Sequence, residues 1–509
     1  MLRLTMSTQL EPSLVQIVTL LDSHAEWIHT GDDRATRALR RSEVDVRVAH
    51  GNLVLSCWTE TGTRSWKINA WEWTGTKLLL EASRRMGAER GLIELVPRAS
   101  ATAIAATVRA ARQARCDQLA RLVSSLVSDG RLERASLSPG IRAGQPGRYA
   151  RIIVRQKYQR IAVTGSVASH NASDVDSFMS SSLLWYTRAA ARIRTPYLEQ
   201  LWVLLEGELL KGVLSRVPFL KQNIGDTIRA FEIVDGWTRL APLEIPTRDQ
   251  IWRRRLARFP PSLDQQISNS AKRILAESPD CFDVVQARHG ETLRYLGLPV
   301  ARSRRVMGSE RVWFGIDTRT RTILEDGTIN EWTRMLDDLA EHRTPNAADK
   351  RHALFRGASE AWLESILRRE ITKLDPGLIV APLYAQFRTT STRTGARPID
   401  LLALRQDGRL VVIELKVTED REHVFQALGY WQRVEAHRRR GHISGAKLFG
   451  GRPISDQSPL IYLVAPMLHV HRAFRTLARL IAPDIEIYRF DINEDWRCGV
   501  RVMRRIRAN

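Results

Sequence analysis

The sequence predicts a multidomain α/β protein, and three observations carry that prediction. The chain has 509 residues, a length that suggests about three domains of ordinary size. Apolar residues make up 43% of the chain and charged residues 26%, which is the composition of a globular protein. Segments in which apolar residues alternate, as in strands, are interspersed with segments of helical periodicity, so both element types are expected.

The order of these patterns predicts three regions. Residues 1–165 are expected to form an α+β domain of unknown role, whose basic helix and strands are compatible with nucleic-acid binding. Residues 166–345 are expected to be mainly helical, with helices over 183–191, 198–214, 249–258, 263–277 and 330–341. The polar, proline-containing stretch 342–350 predicts a boundary, after which residues 350–509 form an α/β domain. No internal repeat is visible in the sequence.

The charge of the chain indicates a polyanionic partner. The formal net charge is +22, and it is spread along the chain rather than concentrated in one tail. A protein this basic usually binds nucleic acid, although an arginine-rich composition also occurs without such a function. No apolar run is long enough to span a membrane. No Walker-type phosphate loop is present, which argues against an ATP-driven motor.

Cysteine usage and the N-terminal segment predict a cytoplasmic protein. The four cysteines are widely separated and form no Cys-x-x-Cys pair, so neither a zinc site nor a disulfide framework is indicated. The N-terminal segment carries acidic residues in its apolar part and has no small-residue cleavage site, which is unlike a signal peptide. Reduced thiols in a reducing compartment fit this pattern.

The chemically informative stretch is a predicted hairpin in the C-terminal region. Strands are expected over 399–404 and 410–415, joined by a turn of the Asp-Gly type. The polar residues in and directly after these apolar strands are Asp400, Glu414 and Lys416. Side chains alternate between the two faces of a strand, so Glu414 and Lys416 share a face. Asp400 joins them if the register of the hairpin allows it.

Two carboxylates and a lysine on one sheet face are suited to phosphodiester hydrolysis. Buried carboxylates are costly unless they are paired or bind a cation, and Mg²⁺ and Mn²⁺ prefer oxygen ligands. Such an ion polarises a phosphodiester and acidifies a water molecule, while a lysine positions or deprotonates that water. The stretch resembles the PD-(D/E)xK nuclease superfamily, in its NucS-like and RecB-like branch, with Pro398-Ile399-Asp400 and Glu414-Leu415-Lys416 as the core motif.

The resemblance covers about residues 350–490 and implies further site residues on two helices. It implies a restriction-endonuclease-like α-β-β-β-α-β core, in which the first helix offers a glutamate to the site. Glu360 matches that position best, and Glu364 is the alternate. Gln426 and Tyr430 lie four residues apart, and therefore on one helix face, and match the Gln-x-x-x-Tyr motif of this branch. In the family these two residues bind the DNA backbone or order the lysine.

Two further segments are expected to contact phosphate groups. The loop over 387–397 is rich in hydroxyl groups, arginine and glycine, and it lies next to the predicted metal site in sequence. Four arginines extend the Gln-x-x-x-Tyr helix into a basic end: Arg433, Arg438, Arg439 and Arg440.

The hypothesis from sequence is a DNA endonuclease or DNA-processing nuclease that depends on Mg²⁺ or Mn²⁺. The ion would be held by Asp400, Glu414 and the main-chain carbonyl of Leu415. Lys416 would orient or activate the water. The residues with assigned catalytic or supporting roles are Glu360, Asp400, Glu414, Lys416, Gln426 and Tyr430.

Two alternatives stay open at this point. One is a non-catalytic DNA-binding or defence-system subunit that has kept the nuclease fold, and the other is a nuclease specific for RNA or for a nucleic-acid structure. The expected partner in each case is nucleic acid, most simply DNA, and not a membrane. A homodimer, or a protein partner bound through the N-terminal region, is compatible with the sequence.

Overall fold

The structure, a computed structural model, describes residues 5–6, 10–30, 36–49, 51–59, 62–84, 89–140, 146–168, 174–193, 197–256, 267–287, 290–306, 308–316, 321–381, 384–387 and 398–509. The protein is mixed α/β, as predicted. It divides into two compact units, the first made of Met1–Val108 and Ile267–Ala358, the second of Arg109–Gln266 and Ser359–Asn509.

The strands are numbered here in chain order. They are β1 (Thr5–Met6), β2 (Glu26–Thr30), β3 (Thr36–Arg40), β4 (Val44–Ala49), β5 (Asn52–Thr59), β6 (Gly62–Trp73), β7 (Leu78–Arg84), β8 (Glu89–Pro97), β9 (Gly130–Pro139), β10 (Pro146–Gln156), β11 (Gln159–Ser166), β12 (Leu198–Leu205), β13 (Ile228–Val234), β14 (Arg239–Leu243), β15 (Phe282–Ala287), β16 (Gly290–Tyr295), β17 (Leu298–Val306), β18 (Ser309–Phe314), β19 (Thr322–Ile323), β20 (Tyr384–Phe387), β21 (Ile399–Leu404), β22 (Leu410–Leu415), β23 (Leu460–Pro466), β24 (Ile487–Ile492) and β25 (Val502–Arg507).

The α-helices are numbered in the same way. They are α1 (Leu10–Asp22), α2 (Arg98–Leu126), α3 (Val175–Arg192), α4 (Gly207–Leu214), α5 (Gln222–Gly225), α6 (Arg248–Arg253), α7 (Asn269–Glu277), α8 (Ile329–His342), α9 (Ala353–Arg356), α10 (Ser359–Arg369), α11 (His423–Arg439), α12 (His442–Gly445) and α13 (Phe474–Ala478). Among the described residues, no helix combines the length and the apolar character that a membrane crossing requires.

The prediction that residues 166–345 are mainly helical is wrong. Helices α3, α6, α7 and α8 lie where helices were expected, but β12 to β19 also fall in this region. The expected helix over 198–214 begins instead with strand β12, which lies between β11 and β13 inside a sheet. Its sequence is a short, nearly continuous apolar run, and such a run does not distinguish a fully buried strand from a buried helix.

The first unit contains two antiparallel sheets. In one, the strand order is β3-β2-β8-β7-β6-β5-β4, with β1 paired to β6. The other is the five-stranded meander β15-β16-β17-β18-β19. Helix α1 covers the first sheet, because its residues Ile17 and Leu21 are fully buried against apolar side chains of the strands.

The second unit also contains two sheets, and they share one arrangement. The order β9-β10-β11-β12-β13-β14 is antiparallel between β9, β10 and β11, parallel between β11, β12 and β13, and antiparallel at β14. The order β20-β21-β22-β23-β24-β25 has the same sequence of directions. Helices precede the first strand and connect the third strand to the fourth in both, as α2 and α3 in one and α10 and α11 in the other. The second unit is therefore built from one architecture used twice.

A single apolar core joins these two sheets. It contains Phe178 and Leu183 from α3, and Phe425 and Leu428 from α11, all buried. Main-chain hydrogen bonds also cross between the halves, since the Lys221 amide donates to the Leu480 carbonyl at 2.8 Å. The two sheets with their helices thus form one compact body.

Candidate active site

The hairpin of β21 and β22 forms as predicted and sets the position of the two carboxylates. Gly408 in its turn has a φ of +78°, a conformation that glycine adopts without steric cost. The register pairs Leu401 with Ile413, so Asp400 and Glu414 are the next residues on the two strands. The Leu415 amide donates to Asp400 Oδ2 at 2.9 Å, which confirms that Asp400 lies beside the end of β22.

Lys416 and Glu414 form a buried ion pair. Lys416 Nζ lies 2.8 Å from Glu414 Oε1, and the two residues are 8% and 0% exposed. Burial favours the neutral amine, but the carboxylates of Glu414 and Glu360 outweigh it and raise the pKa of Lys416 above its ordinary value. The lysine is therefore a fixed cation in the metal-free protein.

Glu414 has one oxygen without a protein partner. Its Oε2 atom is buried and has no hydrogen-bond donor among the residues that the structure describes. Burial, followed by the charge of Asp400, raises the pKa of Glu414 well above its usual range. A buried, unsatisfied carboxylate oxygen carries a desolvation penalty that a bound cation would remove.

Asp400 is in a similar electrostatic position. It is half-buried, and burial raises its pKa to about 6 against the lowering effect of Lys416 and of the Leu415 amide. The charges of Glu364 and Glu360 raise the pKa further. Several carboxylates thus lie near one another with too little positive charge to neutralise them all.

Helix α10 brings both candidate glutamates to this site. Glu360 Oε2 lies 3.9 Å from Lys416 Nζ, and its side chain is 44% exposed. Glu364, one turn further along α10, is 1% exposed. Both residues act on the pKa of Asp400, with Glu364 the larger influence. The structure places Glu360 at the solvent side of the site and Glu364 on its inner side.

Gln426 and Tyr430 lie together on the face of α11 that covers the hairpin. Gln426 Nε2 donates to the Tyr430 hydroxyl at 2.9 Å, and both side chains are buried. Gln426 Oε1 is buried and has no partner within the described part of the chain. Burial, and then the charges of Glu414 and Asp400, raise the pKa of Tyr430, so its hydroxyl stays neutral. The pair therefore faces the carboxylates as uncharged polar groups.

His423 is a site residue that the sequence hypothesis does not include. It is 5% exposed, and its Nε2 lies 3.2 Å from the main-chain carbonyl of Glu414. Burial, and then the charge of Lys416, lower its pKa to about 4, so the ring is neutral and Nε2 carries the proton that it donates. The spacing to Gln426 and Tyr430, three and seven residues, is the signal that would have placed it on the same helix face.

The basic end of α11 is largely neutralised by protein groups. Glu435 is fully buried and pairs with Arg438 at 2.7 Å and with Arg439 at 2.6 Å. Arg440 donates to the carbonyl of Trp252 at 2.8 Å. Arg438 and Arg439 thus pair within α11, and Arg440 binds the main chain of α6, so less of their charge is open to phosphate than the sequence suggests. Of the loop expected over 387–397, Phe387 is the last residue of β20, and residues 388–397 lie outside the described residues.

The donor set fits a hard divalent cation. Across the described ranges, no group of three or more His, Cys, Asp or Glu side chains is arranged as a metal site. The oxygens on offer are the two carboxylates of Asp400 and Glu414 and the carbonyl of Leu415, which lies between Glu414 and Lys416 in the chain. Mg²⁺ in proteins usually binds few protein ligands, and water molecules complete its coordination shell. The orphaned Glu414 Oε2 is the observation that favours such an ion.

No family model matches the chain, and no curated protein matches it.

Proposed function

We propose that the protein is a nuclease that hydrolyses phosphodiester bonds of DNA with Mg²⁺ or Mn²⁺. The observation that carries the proposal is the partnerless Oε2 of Glu414, buried beside Asp400 and next to the ion pair with Lys416. A buried site with surplus carboxylate charge is stable when a cation enters it. The net charge of +22 favours a polyanionic substrate.

The fold of the C-terminal half supports the resemblance to the PD-(D/E)xK superfamily. Helix α10 precedes the antiparallel strands β20, β21 and β22, and α11 connects β22 to the parallel strand β23. This order agrees with the α-β-β-β-α-β core that the resemblance implies, and in that way supports the proposal. The motif residues Asp400 and Glu414 lie on adjacent strands of it.

Each residue has a defined task in this proposal. Asp400, Glu414 and the Leu415 carbonyl would hold the ion, which supplies charge stabilisation and an acidified water when it is bound. Lys416 is protonated in the metal-free site, so it acts as a hydrogen-bond donor that orients water and offsets phosphate charge.

The supporting residues keep this geometry fixed. His423 holds the Glu414 carbonyl, and the hydrogen bond from Gln426 to Tyr430 fixes the polar face of α11. Glu360, the more exposed of the two glutamates on α10, would contact the ion or its water from the solvent side. A network that is satisfied by hydrogen bonds holds its members within the narrow tolerances that catalysis needs.

Purified wild-type protein and two variants test the proposal. Asp400→Ala and Lys416→Ala should lower cleavage of plasmid DNA in Mg²⁺ or Mn²⁺ by about 10²-fold or more, while DNA binding in chelator stays within a factor of a few. Lys373→Ala is the matched control, because Lys373 is half-exposed and, among the described residues, its ion pair is with Glu370 at 2.7 Å, away from the site. Full cleavage by both site variants would overturn the assignment.

A substrate panel separates the alternatives. Duplex, single-stranded, flap and junction DNA are compared with RNA under the same metal conditions. Cleavage of RNA alone identifies an RNA nuclease. Binding to DNA without metal-dependent cleavage of any substrate identifies a non-catalytic DNA-binding or defence-system subunit.

A further inference from the structure

The repeated architecture of the second unit allows the two sheets to be compared position by position. Glu414 pairs with Leu463 on β23, and Thr164 pairs with Val203 on β12. Leu463 and Val203 both belong to the shared apolar core, so Glu414 and Thr164 lie on equivalent faces of equivalent strands. Thr164 pairs with Arg151 on β10.

In the first of these sheets the carboxylates are absent from the equivalent positions. Neither β10 nor β11 contains an aspartate or a glutamate, and on the face that carries Asp400 and Glu414 in the other sheet Arg151 lies opposite Thr164. Thr164 Oγ1 instead lies 3.1 Å from the Ser182 hydroxyl of α3. This half of the unit has the architecture of the candidate nuclease half without its cation-binding groups.

A cavity of about 610 Å³ opens beside Arg151, and its lining is strongly basic. Arginines approach it from β9, β10, α3 and the segments that flank α11 and α13. The described residues that line it include no aspartate or glutamate. The six arginines of the lining are Arg134, Arg151, Arg188, Arg192, Arg421 and Arg472.

These guanidinium groups lack protein counter-charges. Within the described ranges none of the six forms an ion pair with a carboxylate, and the Nε of Arg421 is buried without a hydrogen-bond partner. Burial, and then the charges of Arg421 and Arg188, lower the pKa of Arg151 to about 10. Burial lowers the pKa of His471 at the rim, where Glu419 and Asp420 oppose Arg421 and Arg472. Arg421 also acts on the carboxyl group of Glu422, whose pKa it lowers against the larger effect of burial.

The remaining lining suits a nucleotide. Trp185 of α3 is partly buried against the core, with the Arg151 guanidinium 5.9 Å from its ring centroid. Ser136 and Ser181 add hydroxyl groups. A volume of this size is in the range of sites for small ligands, and arginine forks match the geometry of phosphate oxygens.

We propose that this cavity is a second ligand site, which binds the phosphate groups of a nucleotide through its arginines. Arg151, on the strand face that carries Asp400 in the other sheet, would contact phosphate directly through its guanidinium group. Both a free nucleoside polyphosphate and a nucleotide of a nucleic-acid strand present this chemistry. The proposal does not rest on the nuclease assignment, because its test is binding rather than cleavage.

Isothermal titration calorimetry on the full chain at about 0.15 M salt, in chelator, tests the proposal. The probes are ATP, inorganic tripolyphosphate and a short 5′-phosphorylated single-stranded oligonucleotide. The double variant R188E/R192E reverses two exposed charges of α3 and should weaken binding at least tenfold. The control is R253E, an equally exposed arginine near the end of α6 in the same unit but outside the cavity lining.

Each outcome of the titrations either supports or overturns the proposed phosphate site. ATP or tripolyphosphate binding at one site per chain, lost in the double variant and kept in R253E, supports a free polyphosphate as the source. Binding of the oligonucleotide alone, with the same loss, supports a nucleic-acid strand as the source. If none of the probes binds, or if R188E/R192E binds as tightly as the wild type, the proposal is overturned. Binding lost in Lys416→Ala but kept in the double variant would place the ligand at the candidate active site and would also overturn it.

Discussion

Asp400→Asn is expected to stabilise the metal-free protein while it removes metal-dependent cleavage. The folded state raises the pKa of Asp400 from 3.8 to about 6, mainly by burial. The native protein therefore binds this proton more tightly than the unfolded chain does. Stability is lost as pH rises from about 4 to about 6, and the full penalty is present above that window.

The magnitude follows from the pKa difference. A change from 3.8 to about 6 corresponds to about 3 kcal/mol at pH 8. Asparagine removes the charge and keeps an oxygen that can accept from the Leu415 amide, as Asp400 Oδ2 does at 2.9 Å. We therefore expect Asp400→Asn to raise the free energy of unfolding by up to about 3 kcal/mol at pH 8. At pH 4 the gain should fall below about 1 kcal/mol, because the native carboxyl is then protonated.

Hydrogen exchange of the β21 and β22 amides is the appropriate assay, since it reports the opening of this unit by itself. The measurement is made in chelator at pH 8 and, after correction for intrinsic exchange rates, at pH 4. Asp456→Asn is the control, because Asp456 is fully exposed and lies 3.8 Å from Arg438, and it should change stability by less than about 0.5 kcal/mol. Added Mg²⁺ should protect the wild type and not the Asp400 variant. Lower protection in Asp400→Asn at pH 8 would refute the reasoning.

Four further predictions follow from the same structure. Mg²⁺ affinity, measured by calorimetry, should weaken as pH falls below about 6, because protonated carboxyls do not bind the ion; an affinity independent of pH would contradict this. Tyr430→Phe should lower cleavage but not stability to any large extent, since it removes the hydroxyl that accepts from Gln426 at 2.9 Å; unchanged kinetics would deny Tyr430 a role. Gly429→Ala should destabilise the second unit by about 1–3 kcal/mol in urea unfolding, because the new Cβ would lie 2.3 Å from Arg216 Nη2. Arg343→Ala should lower the free energy of unfolding of the first unit by roughly 3 kcal/mol or more in urea unfolding, since this fully buried guanidinium donates to several main-chain carbonyls. Near-normal stability of this variant would show that water molecules donate to those carbonyls in place of the guanidinium.

The hairpin illustrates what could be predicted from local sequence. Strands β21 and β22 have the predicted bounds, because an Asp-Gly turn between two β-branched, apolar segments specifies a hairpin and little else. The edge of the same sheet has no such local signal: β25, a basic strand with little apolar alternation, pairs with β24. Its pairing depends on a neighbour, and not on its own pattern.

The charges of the chain show the limit of composition. Arg438, Arg439 and Arg440 look like a basic surface in sequence, yet Glu435 and main-chain carbonyls bind them in the fold. The arginines left without carboxylate partners come from distant segments, and Arg151 and Arg421 are an example. Folding does not change the net charge. It decides which charged side chains form ion pairs and which stay open to a ligand, because it brings particular segments of the chain into contact.

The sequence by itself determined the candidate chemistry: two carboxylates and a lysine on a hairpin, with Gln426 and Tyr430 on the helix that follows. These residues are close in the chain, so strand alternation and helical periodicity are sufficient to bring them together. The tertiary structure alone decided that the same architecture is used twice, and that its first copy carries Arg151 and Thr164 on the face where the second carries the acids. Strand order and direction arise from pairing between segments that are remote in the chain, and a single sequence has no local signal for such pairing. Neither the repeated architecture nor the arginine-lined cavity could therefore be predicted from the sequence.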